Sequence, residues 1–126
     1  MNNITKVKIP ERVTNLEGFA FAYNKIEKLE LNKRLRTIGA MSFGHNKIKS
    51  VDIYDNVKAV GVKAFDGNPL ETVNIPEKIR TIGADAFRSD KLDQATVNSS
   101  IRNYKTVFSP TTKVRIVLYT KNEIFL

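Results

Sequence analysis

Apolar residues recur along this chain with a period of 22 residues. Each repeat has an apolar-x-apolar segment, a second apolar pair three positions apart, and then a Phe that in most repeats follows a small residue. A fixed period in this range predicts a solenoid, in which each coil buries its apolar side by stacking on its neighbours. The sets in register are Val7/Leu29/Val51/Val73, Ile9/Leu31/Ile53/Ile75, Val13/Leu35/Val57/Ile79, Leu16/Ile38/Val60/Ile82, Phe21/Phe43/Phe65/Phe87 and Ile26/Ile48/Leu70/Leu92.

The polar residues within each repeat predict its local structure. Residues 6–9 alternate polar and apolar and end at Pro10, which predicts a short strand, and an extended stretch follows. We expect a sharp turn at each of Gly39, Gly61 and Gly83, and then no more than about one helical or 3₁₀ turn. Asx side chains tolerate left-handed backbone, so we expect the residues three after each Phe to close the turns. These residues are Asn24, Asn46, Asn68 and Asp90.

The two ends of the chain differ from its middle. Residues 2–7 match the tail of a repeat, so the chain begins in mid-coil, and the pattern dissolves after Tyr104. Residues 113–119 read as one further strand that caps the last coil. The sequence therefore predicts a repeat solenoid of about four and a half coils in residues 1–104, with a C-terminal cap segment of the same domain in residues 105–126. A parallel sheet forms one face, and short helical or 3₁₀ turns or loops form the other.

The segment VNIPEKIRTIGADAF at residues 73–87 resembles the BspA-like branch of the leucine-rich repeats, and the resemblance extends over residues 2 to about 104. Glu17 replaces the Gly of the pattern, Asn32 and Tyr54 replace the Pro, and Ser42 replaces the Ala. The resemblance implies a non-enzymatic recognition module in which the strands line a concave face. Members of that family are mostly surface proteins of bacteria and protists that act as adhesins or ligand-binding arrays.

The composition narrows the classes of function. The net charge of +8 favours polyanionic partners through long-range attraction. The absence of Cys excludes disulfides and Cys-based zinc sites, and no run of 18 apolar residues is present, so no membrane insertion is expected. The first residues lack a signal-peptide pattern. We therefore expect a cell-surface or secreted location if the chain is part of a longer protein, and a cytoplasmic one if it is complete.

No residue pattern supports catalysis, a cofactor or a metal. His45 is the single His, and its repeat equivalents Tyr23 and Gly67 indicate a variable, solvent-facing position. Ser42 occupies a position that is Ala in the other repeats, which indicates a small buried side chain and not a nucleophile. Nucleophile-elbow, phosphate-cradling and metal-ligand motifs are also missing from the sequence. The Phe column is predicted to be core and not a stacking platform for bases or sugars.

One candidate binding surface is the outward side of the predicted concave sheet. Side chains of one repeat position on adjacent strands lie about 4.8 Å apart and contact each other. Tyr54 is the predicted centre of this surface, because exposed Tyr is typical of binding hot spots. An ordinary solvated face remains the alternative. The candidate residues are Lys6, Lys8, Lys28, Glu30, Asp52, Tyr54 and Asn74.

A second candidate is a lateral row of cations at two neighbouring repeat positions. Coils about 5 Å apart would place these charges at a spacing comparable to that of a polyanion, although Glu11, Asp55 and Glu77 lie close enough to neutralise part of the row. A plain solvated face is again the alternative. The candidate polyanion-binding residues are Arg12, Arg34, Arg36, Lys58, Lys78, Arg80 and Arg102.

These surfaces lead to two hypotheses about the partner. The first is a protein or an anionic surface polymer such as a teichoic acid or sulfated glycan. The second is a basic scaffold that binds nucleic acid or another intracellular polyanion, but no base-reading or stacking motif supports nucleic acid. A third expectation concerns self-association. The first coil has little to cover its apolar end, and Phe19 is apolar where later repeats have Lys63 and Asp85. Either further repeats upstream or end-to-end pairing through the first coil is therefore expected there.

Overall fold

The computed structural model describes residues 2–118, and a coil is named here by its first strand. Coil 1 begins with β1, coil 2 with β3, coil 3 with β5, coil 4 with β7, coil 5 with β9 and coil 6 with β10. The elements are β1 (Lys6–Lys8), β2 (Asn15–Leu16), β3 (Lys28–Glu30), β4 (Thr37–Ile38), β5 (Ser50–Asp52), β6 (Ala59–Val60), β7 (Thr72–Asn74), β8 (Thr81–Ile82), β9 (Gln94–Asn98), α1 (Tyr104–Val107) and β10 (Lys113–Val117).

All strand pairs in the described residues are parallel. In the first strand column β1 pairs with β3, β5 with β7, and β9 with β10. Successive pairs contact each other without a continuous hydrogen-bonded ladder. The register joins Val7 to Leu29 and Val51 to Val73, as the 22-residue period requires. The parallel-strand solenoid predicted from the sequence is therefore confirmed.

A second parallel sheet runs along the stack, and the sequence pattern did not separate it from the surrounding extended stretch. It contains one two-residue strand from each of the first four coils, in the order β2-β4-β6-β8. Turns at residues 18–21, 40–43 and 62–67 connect this sheet back to the first column. Within residues 2–118, α1 is the single helix.

The aromatic column forms the centre of the core. The rings of Phe21, Phe43, Phe65 and Phe87 stack with neighbouring centroids 5.2–5.5 Å apart and ring planes within 15° of parallel. Phe43, Phe65 and Phe87 are fully buried, whereas Phe21 at the end of the stack is half-buried. This geometry lies in the favourable range for offset aromatic pairs, and it confirms that the column is core.

The stack continues beyond Tyr104, where the sequence pattern ends. Phe108 lies on Phe87 with centroids 6.1 Å apart. The carbonyl groups of Thr106 and Val107 accept hydrogen bonds from Asp85 and Phe87. Coil 5 advances only 19 residues from β9 to β10, and α1 takes the place of a second strand. β10 covers residues 113–117 of the strand predicted at 113–119, and Tyr119 lies outside the described residues.

The repeat glycines are required by the close approach of neighbouring coils. An added Cβ would lie 2.5 Å from the Ala40 nitrogen at Gly61 and 2.4 Å from the Val62 nitrogen at Gly83. Left-handed backbone occurs two residues after each of these glycines, at Met41, Lys63 and Asp85.

The expectation that the repeated Asx residues adopt left-handed backbone is wrong. Left-handed backbone occurs one residue earlier, at Tyr23, His45 and Gly67. Asn46 instead buries its side chain between coils, where Nδ2 donates to the carbonyls of Phe21 and Phe43, each at 3.0 Å. Its Oδ1 accepts the Ile26 N–H at 3.0 Å.

Asn68 repeats this arrangement one coil further, and Asn24 makes a weaker version at the N-terminal end. In coil 4, Asp90 is exposed, and the Ser89 hydroxyl donates to the Leu70 carbonyl. These side-chain amides form a hydrogen-bonded asparagine ladder that joins coils 1 to 3, because an amide both donates and accepts.

Candidate functional site

The outward side of the first strand column is called the strand face. Lys6, Lys8, Lys28, Glu30, Asp52 and Asn74 are all exposed on it. Tyr54 lies at its rim and is half-buried against the core. The Lys33 ammonium lies 5.9 Å from the centroid of the Tyr54 ring, within cation–π range. Tyr54 is therefore held in place by packing, and part of its ring is already covered by this chain.

Charge on the strand face changes sign along the stack. One line of outward positions reads Lys8, Glu30, Asp52, Asn74, Thr96 and Arg115. The Asn74 amide donates a hydrogen bond to the Asp52 carboxylate across the strands. A shallow cleft of about 710 Å³ at the N-terminal end contains lysines together with Glu27 and Glu30. This mixture of charges suits a partner surface that also alternates in sign, and it disfavours a uniform polyanion.

The lateral cations are the second surface, and the residues at its centre are called the basic row: Arg36, Lys58, Arg80 and Arg102. The Lys58 N–H donates to the Arg36 carbonyl at 2.9 Å, and the Arg80 N–H donates to the Lys58 carbonyl at 2.9 Å. These bonds fix the backbones of three cationic residues on adjacent coils at the inter-strand spacing of about 4.8 Å. Arg102 occupies the same repeat position in coil 5 and is exposed.

The acids near the basic row do not form ion pairs with it. Within residues 2–118 the single ion pair is Arg88–Asp85 at 3.7 Å, on another part of the surface. Asp55, Glu77, Lys58 and Lys78 line a cleft of about 320 Å³, but the Lys58 ammonium donates to the Asp55 backbone carbonyl at 3.0 Å. The positive charge of the row is therefore available to a ligand.

The flanking cations Arg12, Arg34 and Lys78 are exposed at the repeat position two residues before that of the row. Their line is interrupted in coil 3 by Asn56, whose amide donates to the Lys33 carbonyl at 2.7 Å. The structure thus brings Arg36, Lys58 and Arg80 into one backbone-linked line and leaves the flanking cations as a broken second line.

Ser42 and His45 lie in different environments. Ser42 is fully buried, and its hydroxyl donates to the carbonyls of Gly39 and Glu17 at 2.7 and 3.0 Å. The His45 ring is exposed and stacks on Tyr23, with centroids 4.7 Å apart. Both side chains have structural contacts that account for their positions.

Sequence reasoning missed the strand-face residues of coil 6. Lys113 and Arg115 extend the strand face because β10 pairs in register with β9. The period could not find them, since coil 5 is three residues shorter than the others. The alternation of polar and apolar residues in 113–117 was the available signal.

Stacked parallel coils with a 22-residue period define the class of leucine-rich repeat solenoids. A family model described as the BspA type leucine rich repeat region matches residues 1–115 in six copies. The chain therefore belongs to the BspA-type leucine-rich repeat family. The match extends past Tyr104, where the 22-residue pattern of the sequence ends.

Searches against curated proteins and against solved structures gave no significant match. The family suggests a repeat module for protein binding or adhesion, and such repeats are generally non-enzymatic scaffolds and typically surface-associated. In the part of the chain that the structure describes, none of the helical structure has the length and apolar character needed to cross a membrane.

Proposed function

We propose that this chain is the recognition module of a bacterial cell-surface protein and that its basic row binds an anionic surface polymer. The observation that carries the proposal is the backbone-linked line of Arg36, Lys58 and Arg80, which has no ion-paired carboxylate in the described residues. Like charges on adjacent coils repel each other, so the row is costly to the fold unless a ligand neutralises it.

The geometry favours a linear polymer over a compact anion. A compact ligand would engage one or two of the cations, whereas a chain lying along the solenoid axis passes all four residues of the row. Each neutralised charge releases a condensed counterion, so the affinity for a polyanion should fall steeply as salt increases. A teichoic acid or a sulfated glycan meets these requirements.

The strand face supports a second kind of contact within the same module. Its charges run from Lys8 through Glu30 and Asp52 to Arg115, and Tyr54 provides a pre-positioned aromatic ring at the rim. A protein partner with a complementary charge sequence fits this face, so the module would hold a polymer laterally and a protein on its strands.

Nucleic acid is the alternative polyanion for the basic row. Proteins that bind single strands stack bases on aromatic side chains beside a basic groove. Tyr54 is half-buried beneath Lys33, and Tyr104, two residues after Arg102, is also packed against the core. The structure therefore offers charge to a nucleic acid but few of the ring contacts that such proteins use.

The test is a charge-reversal variant in which Arg36, Lys58, Arg80 and Arg102 are all replaced by Glu. We expect its binding to immobilised heparin and to purified teichoic acid to be abolished at about 0.1 M salt, because four attractive charges become repulsive. Surface plasmon resonance measures binding, and circular dichroism checks that the solenoid remains folded.

The matched control reverses Lys25, Lys47, Lys63 and Lys91, which are exposed elsewhere on the surface, and has the same net charge as the test variant. It should retain most of the binding, so any loss in the test variant is due to position and not to total charge. Equal losses in the two variants would contradict the proposal. Tighter binding to single-stranded DNA than to both polymers would favour the alternative.

A further inference from the structure

We infer that the outer edge of β10 binds an extended peptide segment in which acidic and apolar residues alternate. β10 is the last strand of the first column, and no residue in 2–118 pairs with its outer edge. It has five residues, and Ile116, Val117 and Leu118 are exposed. A strand edge with unpaired backbone groups is a template for another strand.

The backbone geometry shows which groups are free to pair. The Lys113 N–H donates to the Asp93 carbonyl, and the Val117 carbonyl accepts the Ser99 N–H, each at 2.8 Å. In a parallel strand, alternate residues direct their backbone groups to opposite sides. The N–H and C=O groups of Val114 and Ile116 therefore point away from β9, toward the open edge.

The charges beside this edge select an acidic partner. Lys113 and Arg115 are exposed on the strand face and have no ion-pair partner in the described residues. A strand added to the edge would place its own outward side chains about 4.8 Å from them. Carboxylates in those positions make favourable cross-strand pairs, whereas cations are repelled.

The side of β10 that faces the core favours apolar residues in the bound peptide, at the positions between its acidic residues. Val114 is half-buried and Ile116 is 45% exposed, because coil 6 has no described coil above it. Beside them, Tyr104 and Phe108 line an open cleft of about 410 Å³ at the end of the stack. Apolar side chains of an added strand would cover this surface.

The same charges disfavour a second copy of this chain at the edge. A copy that continued the stack would place Lys6 beside Lys113 and Lys8 beside Arg115, and two antiparallel β10 strands would place Arg115 opposite Arg115. Like charges directly opposite are destabilising. Residues 119–126 contain one acidic side chain, Glu123, and so lack the alternation that the edge favours.

The experiment uses the full chain and two fluorescein-labelled synthetic peptides, one alternating Glu with Val and one alternating Lys with Val. Fluorescence anisotropy should show saturable binding of the Glu peptide and none of the Lys peptide. The double variant Lys113→Glu/Arg115→Glu should weaken binding of the Glu peptide at least about tenfold and bind the Lys peptide instead.

A backbone variant tests the strand addition itself. Ile116→Pro removes an N–H that points to the open edge and leaves the pairing with β9 intact, so it should abolish binding while circular dichroism stays unchanged. The control variant Lys6→Glu/Lys8→Glu alters the other end of the strand face and should leave the affinity within about twofold. If Ile116→Pro fails to fold, the Lys113→Glu/Arg115→Glu variant still tests the inference, because it should bind the Lys peptide in place of the Glu peptide.

Four results would overturn the inference. The first two are that the full chain does not bind the Glu peptide, and that reversal of Lys113 and Arg115 leaves its binding unchanged. The third is that the peptide binds only after the chain is truncated following Leu118. The fourth is a concentration-dependent dimer in sedimentation that Ile116→Pro abolishes. The last two would assign the edge to residues 119–126 and to a second copy, respectively. None of them depends on the basic row.

Discussion

Replacing Phe65 with Ala should lower the free energy of unfolding by about 3–5 kcal/mol. Phe65 is fully buried, and its ring stacks on Phe43 on one side and on Phe87 on the other. Removal of the ring leaves a cavity in the middle of the column, and neighbouring coils cannot collapse into it because their backbone hydrogen bonds fix the spacing. Urea denaturation followed by circular dichroism measures the loss.

Phe21→Ala is the matched control for this prediction. Phe21 is half-buried at the end of the column and stacks on Phe43 alone. The same truncation there should cost less than about half as much, since the site borders solvent. A loss below about 1 kcal/mol at Phe65, or equal losses at the two sites, would show that stability does not depend on the continuous column.

Replacing Asn46 with Leu should cost about 1–3 kcal/mol, although Leu has a similar volume and is more apolar. The substitution leaves the buried Ile26 N–H without its acceptor. It also removes one of two donors to the carbonyls of Phe21 and Phe43, which keep the amides of Asn24 and Asn68. A buried polar group left without a partner costs about 1–3 kcal/mol. Thermal and urea unfolding of the variant measure the combined loss.

The chain contains a suitable control for this second substitution. Asn56 is exposed and makes one side-chain bond, to the Lys33 carbonyl. Asn56→Leu should change stability by less than about 1 kcal/mol, because water can replace that bond. If both variants unfold at the same denaturant concentration, the asparagine ladder is not a source of stability.

The 22-residue period was enough to predict the fold, because stacked coils must bury apolar side chains at the same repeat positions. The Phe column, the parallel register and the fully buried Ile48 and Leu70 all follow from that requirement. The 22-residue period did not predict that Phe108 belongs to the column. Coil 5 is shorter, so this fifth ring lies 21 residues after Phe87 and outside the period. The family match extends to residue 115 and so includes Phe108.

Individual residue roles were harder to infer than the column pattern. Asn and Gly have several structural uses, and one sequence does not distinguish them. Gly61 was expected to permit a turn but is needed for contact between coils. Asn46 was expected to close a turn, and it does so through the Phe43 carbonyl, but it also bonds to the neighbouring coil. Both roles depend on what lies one coil away, which local sequence does not reveal.

The candidate surfaces were predictable only in part. Repeat position alone placed Arg36, Lys58 and Arg80 in one line, and the backbone bonds between them agree with that placement. Partial burial of Tyr54 could not be predicted, because it depends on Lys33 of the preceding coil.

The translational equivalence of coils 2 to 4 has a consequence for the length of the molecule. The same backbone hydrogen bond recurs between successive coils: the Lys58 N–H donates to the Arg36 carbonyl, and the Arg80 N–H donates to the Lys58 carbonyl. An in-frame deletion or duplication of one 22-residue unit therefore joins surfaces that share the Phe column and the backbone bonds between coils. Each such event would shorten or lengthen the basic row by one cation, so the polymer affinity that we propose for this row would change with copy number while the Phe column is kept.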